Sequence, residues 1–159
     1  MTEMYHFHNG VTLRDGSLVP PIGVRLVHDG PLVICKVGFH ASPRIIDALK
    51  WAPGNILDGV ILSGERIDER DKSVARERTR VWSLDAEALL REFLRDCRAH
   101  GVGCVRIVHG KGRNSEERLP VLKNLVDRVL RHRADVLAFH SPPAAQGGSG
   151  AVLVLLEKR

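Results

Sequence analysis

The spacing of apolar residues changes character near residue 83. Before that point, short apolar runs broken by Gly, Pro and Asp predict strands and turns, including a hairpin in which 24–27 and 32–37 flank an Asp-Gly turn. Ser42 followed by Pro43 predicts a helix start, because Ser caps free backbone N–H groups and Pro fits the first turn. Strands are predicted at 59–63 and 79–82, and the mixed-charge stretch 66–79 predicts a solvated turn or helix face.

After residue 83 the sequence alternates between helical periodicity and short apolar strands. It predicts helices at 84–99 and 119–131 and strands at 102–108, 136–139 and 151–156. A strand, a helix and a strand with short connections predict a parallel pair in an open sheet. Cys104, inside the first of these strands, is expected in the core. The predicted fold class is α/β: a small open sheet with helices in the C-terminal half, preceded by an α+β unit of hairpin strands and one helix.

Composition narrows the classes of protein that fit. Of 159 residues, 43% are hydrophobic, which suffices for a packed core, whereas 4% are aromatic, too few for a platform that stacks single-stranded bases. The sequence has no apolar run of the ~20 residues that a membrane helix needs, and its first ten residues lack a secretory pattern. Three cysteines without CxxC spacing predict reduced thiols. We therefore expect a cytoplasmic protein with no membrane partner.

The positive charge is confined to the last third of the chain. Residues 1–98 carry 14 basic and 14 acidic side chains, whereas 99–159 carry 10 basic and 5 acidic ones, which accounts for the formal net charge of +5. A clustered basic excess fits a polyanion such as nucleic acid. The candidates to widen such a basic surface are Arg106, Lys123, Arg128, Arg131 and Arg133.

The sharpest candidate for chemistry is the sequence Arg-Ile-Val-His-Gly-Lys-Gly-Arg at 106–113. Glycines let a phosphate approach the backbone, cations supply charge, and a histidine can transfer a proton near neutral pH. The pattern predicts a phosphate site at the carboxyl end of a strand, where open α/β sheets bind ligands. A solvated basic turn is the alternative. The candidate catalytic residue is His109, and the candidate nucleic-acid-binding residues are Arg106, Gly110, Lys111, Gly112 and Arg113.

Residues 84–159 resemble the Smr (small MutS-related) domain family. The likeness rests on the helix 88–101, the strand and loop 105–113 with His-Gly-Lys-Gly, the helix 121–130, the strand 136–139, and Gly-Gly-Ser-Gly-Ala at 147–151 before the last strand. It implies a small α/β sandwich like the C-terminal domain of a bacterial translation initiation factor. It also implies nucleic-acid binding and endonuclease or nicking activity on DNA or RNA. By the same resemblance, Gly147 and Gly148 lie near the His109–Gly112 signature and join the binding residues.

One feature of the family is missing. Smr nucleases begin with a Leu-Asp-Leu-His-Gly strand whose Asp and His are implicated in cleavage, and Thr79 and Val81 stand at those positions here. Neither side chain can bind a metal or move a proton as the family pattern requires, so we expect binding of nucleic acid more than its cleavage. No cofactor or metal site is predicted, and a divalent metal enters only if the domain is a nuclease.

Residues 4–98 resemble a domain family of phage and prophage proteins of unknown function. The likeness rests on Gly-Phe-His-Ala-Ser at 38–42, Ala-Pro-Gly-Asn at 52–55 and Asp-Lys-Ser-Val-Ala at 71–75. His40 could contact an anion, or it could stabilise a hairpin with its own side chain satisfied. His6 and His8 share a strand face, but no third metal ligand accompanies them.

The predicted units are 1–83, of phage type, and 84–159, of Smr type, with the helix 84–99 an element that both could share. Three hypotheses of function remain. The first is a DNA- or RNA-binding Smr-like module. The second is a non-enzymatic phage accessory protein whose function lies in the N-terminal half, and the third is an active endonuclease with His109 as the proton-transfer group. The sequence sets no oligomeric state.

Overall fold

Strands in the first half of the chain are short, except for two that run thirteen residues each. The elements are β1 (Glu3–His8), β2 (Arg25–Val27), β3 (Phe39–Ala41), α1 (Ile45–Ala48), a 3₁₀ turn (Leu49–Trp51), β4 (Ile56–Asp68) and β5 (Ser73–Asp85). The structure is a computed structural model that describes residues 2–111 and 120–158. It divides into a first unit, Met1–Leu84, and a second unit, Asp85–Arg159.

The first unit is a five-stranded sheet in the order β1-β4-β5-β2, with β3 also pairing with β5. Strands β1, β2 and β3 each run antiparallel to their partners. The predicted hairpin between 24–27 and 32–37 is wrong, because β2 pairs with β5 instead. Pro31 has no N–H to close such a turn on the His28 carbonyl, and His28 instead donates its N–H to the Arg76 carbonyl at 2.8 Å. Arg76 Nη1 in turn donates to the carbonyls of His28 at 2.9 Å and Gly30 at 3.1 Å.

Two further predictions in this unit are wrong. Ser42 is not a helix cap, because its backbone N–H and carbonyl both bond to Tyr5 at 2.8 Å, and α1 begins at Ile45 after Arg44 as the N-cap. The charged stretch 66–79 is neither a turn nor a helix over most of its length. It contains the end of β4, a tight turn in which the Glu69 N–H donates to the Lys72 carbonyl, and the start of β5.

The second unit follows the predicted helix–strand alternation closely. Its elements are α2 (Ala86–Ala99), β6 (Cys104–Val108), α3 (Val121–Arg131), β7 (Val136–His140) and β8 (Ala151–Leu156), with 3₁₀ turns at Ala144–Gln146 and Gly148–Gly150. The Asp85 carboxylate caps α2 by accepting from the N–H of Glu87 at 2.8 Å and of Ala88 at 3.5 Å. The expected α/β fold class is confirmed.

The sheet of the second unit has the order β6-β8-β7. The predicted pairing of two parallel strands is wrong: β6 and β7 run in the same direction, but β8 lies between them and is antiparallel to both. The central place suits β8 because four of its six residues are buried. Helices α2 and α3 pack on this sheet through a core of Leu90, Leu94, Cys97, Val105, Leu125, Val126, Val129, Leu130, Val152, Val154 and Leu156.

Cys104 is exposed, so its expected core position is wrong. Strand alternation explains this, because Val105 and Ile107 of β6 belong to the core while Cys104, Arg106 and Val108 are exposed. No helix of the described residues is long and apolar enough to cross a membrane.

Candidate functional site

The end of β6 and the glycine turn before β8 meet at one point. The N–H groups of His109 and Gly110 both donate to the Gly150 carbonyl, at 3.1 and 3.0 Å. This meeting follows from the sheet, in which Val108 pairs with Ala151. A Cβ at Gly150 would stand 3.6 Å from the backbone carbonyl carbon of Gly110 and 3.2 Å from Lys111 Cγ, so the two segments are in contact. The two glycine segments singled out in the sequence, His109–Lys111 and 147–150, are therefore neighbours.

Three glycines at this point have backbone angles that other residues rarely adopt. Gly110, Gly147 and Gly148 have φ of +76°, +116° and +52°. The turn is closed by the Gly150 N–H, which donates to the Gly147 carbonyl at 3.0 Å. Glycine thus lets two tight turns pack against each other with exposed or half-exposed backbone, which a phosphate oxygen can approach.

His109 is only 7% exposed. Its Nδ1 lies 2.8 Å from the Gly110 carbonyl oxygen, and since a carbonyl only accepts, Nδ1 carries the proton of the neutral ring. Burial, and secondarily the charge of Lys123, lowers the pKa of His109 from its ordinary value. A neutral imidazole of this tautomer has an unprotonated Nε2, so the ring is suited to accept a proton and adds no positive charge to the surface.

Positive charge is instead supplied by exposed side chains near His109. Arg106 precedes it on β6 and reaches the Gln146 carbonyl with a long contact of 3.5 Å. Lys111 follows it, and Lys123 on α3 is near enough for its charge to lower the pKa of His109. Arg106, Lys111 and Lys123 have no carboxylate partner within the part of the chain that the structure describes. We call these three residues the open cations.

The other predicted basic residues are engaged by carboxylates. Arg128 Nη2 lies 2.8 Å from Glu87, and Arg131 Nε lies 2.7 Å from Asp127. Arg133 is half-buried and binds Asp135 through two nitrogens, at 2.9 and 2.5 Å. The sequence does not distinguish these cations from one another, whereas the structure shows which of them have a carboxylate partner among the described residues.

Two predicted binding residues, Gly112 and Arg113, lie outside the described residues. Thr79 and Val81, which stand at the cleavage positions of the family, lie in β5 of the first unit, where Thr79 pairs with Arg25. In residues 2–111 and 120–158, no three His, Cys, Asp or Glu side chains are grouped so as to hold a metal ion.

Sequence reasoning missed a buried charged network in the first unit. Asp58 is fully buried, and its carboxylate accepts from Arg80 Nε at 2.6 Å and Arg80 Nη2 at 2.9 Å. His8 Nε2 lies 3.0 Å from the same carboxylate, while His8 Nδ1 accepts from the Gly10 N–H. Burial alone would raise the pKa of Asp58, but the hydrogen bonds from His8 and Arg80 outweigh it and hold the pKa well below its usual range. Nδ1 of His8 is therefore occupied, and no group of three possible metal-ligating side chains among the described residues includes His8.

Comparison with known protein families gives a match to the second unit. The family profile described as "Smr domain" matches residues 83–157. Residues 83–157 are an Smr domain. The match begins after Thr79 and Val81. It therefore includes the glycine turns and the open cations, but not the two positions at which the cleavage residues of the family are replaced.

Relatives of the Smr domain extend the comparison. The ribosome rescue factor SmrB of Tolumonas auensis is 34% identical over 133 residues, which are 84% of this chain and 63% of that protein. That match is longer than the Smr domain and therefore reaches into the first unit. The chain spans less than two thirds of the length of this relative.

Two solved structures are similar to the Smr domain. The Smr domain of Thermus thermophilus MutS2 is 34% identical, with 45% of this chain and 85% of that chain covered and a TM-score of 0.38. YdaL, a stand-alone small MutS-related protein from Escherichia coli, is 35% identical, with 43% and 53% covered and a TM-score of 0.40.

Proposed function

We propose that the Smr domain binds the phosphate backbone of a nucleic acid at the surface formed by His109–Lys111, the turn 147–150 and the open cations. The observation that carries this proposal is the grouping of exposed cations, which have no carboxylate partner among the described residues, around two glycine turns that lie in contact. Most protein contacts to nucleic acid go to phosphate and sugar, and they need accessible positive charge and backbone N–H groups.

Within this surface, Lys111, Arg106 and Lys123 hold phosphates, and the backbone of Gly147 and Gly148 allows close approach. We extend the same role to Gly112 and Arg113, which continue the motif. His109 is buried and its ring is neutral, so it does not bind phosphate through a positive charge. Its ring can instead accept one hydrogen bond or one proton. The protein acts on its ligand in the cytoplasm, where its three cysteines stay reduced.

The residues favour binding of nucleic acid without its cleavage. Phosphodiester hydrolysis needs a second group beside His109 to move a proton or hold a metal, and Thr79 and Val81 supply neither. These two residues are instead part of the sheet of the first unit. RNA is the first ligand to test, because the similar protein from Tolumonas auensis is named a ribosome rescue factor.

The test compares two triple variants of the full chain that lose equal charge. One changes the open cations (Arg106→Gln, Lys111→Gln, Lys123→Gln), and the control changes three exposed, paired cations (Arg95→Gln, Arg128→Gln, Arg131→Gln). Fluorescence anisotropy with labelled RNA and DNA should show weakening of at least about tenfold for the first variant and little change for the control. Equal weakening by the two variants would mean that position does not matter and would overturn the proposed surface.

The same samples test cleavage. RNA and supercoiled plasmid incubated with the unaltered chain should stay intact. Cleavage that disappears in His109→Ala would establish an endonuclease and correct the proposal. A non-enzymatic role that lies wholly in the first unit predicts no nucleic-acid binding at all, which the anisotropy measurement detects directly.

A further inference from the structure

The first unit contains a buried guanidinium that bonds to no carboxylate of the described residues. Arg78 of β5 is 3% exposed. Its Nη1 donates to the His40 carbonyl at 3.2 Å, and its Cζ stands 5.2 Å from the ring centre of Phe39. Its Nε is buried and has no hydrogen-bond partner among the described residues. Burial lowers the pKa of Arg78 to about 10, so the group remains a cation at neutral pH.

The carboxylates near Arg78 are already engaged. Asp58 accepts hydrogen bonds from Nε and Nη2 of Arg80, so its single negative charge is balanced by Arg80. Asp15 also acts on Arg78 through its charge, but it is exposed and accepts from the N–H and hydroxyl of Ser17 at 3.0 and 2.6 Å. A buried cation without a bonded anion is costly, and proteins retain such groups where an anion binds.

Two histidines lie near enough to Arg78 for its charge to lower the pKa of their rings, and Arg78 bonds to the backbone of one of them, His40. The Nε2 atom of His40 is buried and lacks a hydrogen-bond partner within residues 2–111 and 120–158. His6 is close enough to Arg78 and His40 for both to act on it, and burial is the main reason that the pKa of His6 lies well below its ordinary value. An oxyanion next to these rings would favour their protonated form, in which both ring nitrogens donate.

The three residues differ in burial: His6 and His40 are half-buried, whereas Arg78 is almost fully buried. The groups that an anion would meet are the Nε–H of Arg78 and the Nε2 of His40, neither of which has another partner among the described residues. Because Arg78 is almost fully buried, we expect a small anion rather than a polymer.

We propose that Arg78, His40 and His6 form a binding site in the first unit for the phosphate group of a small molecule. A water molecule could satisfy the free Nε and Nε2 atoms, but it would leave the charge of Arg78 uncompensated. The site is independent of the nucleic-acid surface, since all three residues belong to the first unit.

The test uses inorganic phosphate and adenosine monophosphate as probes on the full chain, with chloride at equal ionic strength as reference. Trp51 and Trp82, the two tryptophans of the sequence, both lie in the first unit, so selectively excited tryptophan fluorescence follows the unfolding of that unit. A ligand that binds the folded unit raises its unfolding midpoint. Calorimetric titration gives the dissociation constant, and comparison of the two probes separates free phosphate from a phosphate ester.

We expect either probe to raise the tryptophan midpoint and to bind one-to-one, and to do so equally well in the triple variant that lacks the open cations. His40→Gln and Arg78→Lys should each weaken binding by at least about tenfold, whereas Arg66→Lys, at an exposed arginine paired with Asp68, should not. If Arg78→Lys fails to fold, His40→Gln and His6→Gln carry the comparison. A midpoint that phosphate raises no more than chloride, or binding that persists in His40→Gln and His6→Gln, would overturn the site.

Discussion

Replacing Asp58 by Asn tests how far the first unit depends on its buried charged network. The carboxylate is fully buried and accepts two hydrogen bonds from Arg80, while His8 lies 3.0 Å from it. Asn keeps the shape of the side chain but removes its charge. Arg80, itself only 8% exposed, would then be a buried cation whose remaining bond is to the Pro20 carbonyl.

The expected loss is large because breaking a buried pair leaves one charge without compensation. Removal of one partner of such a pair typically lowers the free energy of unfolding by about 3–5 kcal/mol. For a unit of this size, each 1 kcal/mol of lost stability lowers the midpoint of thermal unfolding by roughly 4–8 °C, so we expect that midpoint to fall by at least about 12 °C. Replacing both partners, in Asp58→Leu with Arg80→Met, should recover part of that loss, since no charge is left buried.

Chemical denaturation followed by tryptophan fluorescence measures this effect in the first unit, where both tryptophans lie. The matched control is Arg66→Gln, which breaks an exposed pair with Asp68 in β4 and should change the free energy of unfolding by less than about 1 kcal/mol. If Asp58→Asn costs no more than that control, or if the double variant is less stable than the single one, the reasoning about the buried network is refuted.

Three further outcomes are expected. Leu94→Ala, at a fully buried position of α2, should lower the stability of the second unit by about 2–5 kcal/mol in far-UV circular dichroism, whereas Leu89→Ala, at a position 47% exposed, should cost less than about 1 kcal/mol; equal losses would contradict the packing described. Burial lowers the pKa of His6, His40 and His109, so the unfolded chain takes up protons first and stability should fall as the pH drops below about 6.5; constant or rising stability between about pH 7.5 and 5.5 would contradict the direction of these shifts. Gly147→Ala, at φ of +116° and with its new Cβ only 2.8 Å from Ala151 Cβ, should cost about 1–3 kcal/mol and weaken nucleic-acid binding, and Gly148→Ala, with open space around it, should cost less; the reverse order would contradict the turn geometry.

The predictions from sequence succeeded where a local pattern decides the structure. In the second unit, helical periodicity places α2, and an unbroken apolar run places β8. The order of the strands could not be read in this way, because the insertion of β8 between β6 and β7 depends on contacts between residues far apart in the chain.

The same limit explains the errors in the first unit and the division of the cations. The carbonyls of His28 and Gly30 accept from Arg76, which is 48 and 46 residues away, and no local signal reveals that partner. Likewise, Arg128 and Lys123 look equivalent in the sequence, but Arg128 faces Glu87 across 41 positions and Lys123 stays open. The sequence did contain one signal of the buried charged network. Arg78 and Arg80 alternate with apolar and small residues in a strand, and charged residues with this periodicity can belong to a buried network as well as to a solvated edge.

The salt dependence of RNA binding tests the central claim most directly. Each phosphate contact on a single strand contributes about −0.7 to the slope of log affinity against log salt, so loss of the three open cations should make the slope shallower by about 2. Over a fourfold rise in salt, that difference amounts to roughly twentyfold in affinity. We expect this change of slope for the triple variant Arg106→Gln, Lys111→Gln, Lys123→Gln. For the control variant at Arg95, Arg128 and Arg131 we expect a change less than half as large. Equal slopes for the unaltered chain and the first variant would show that the open cations contact no phosphate and would contradict the account.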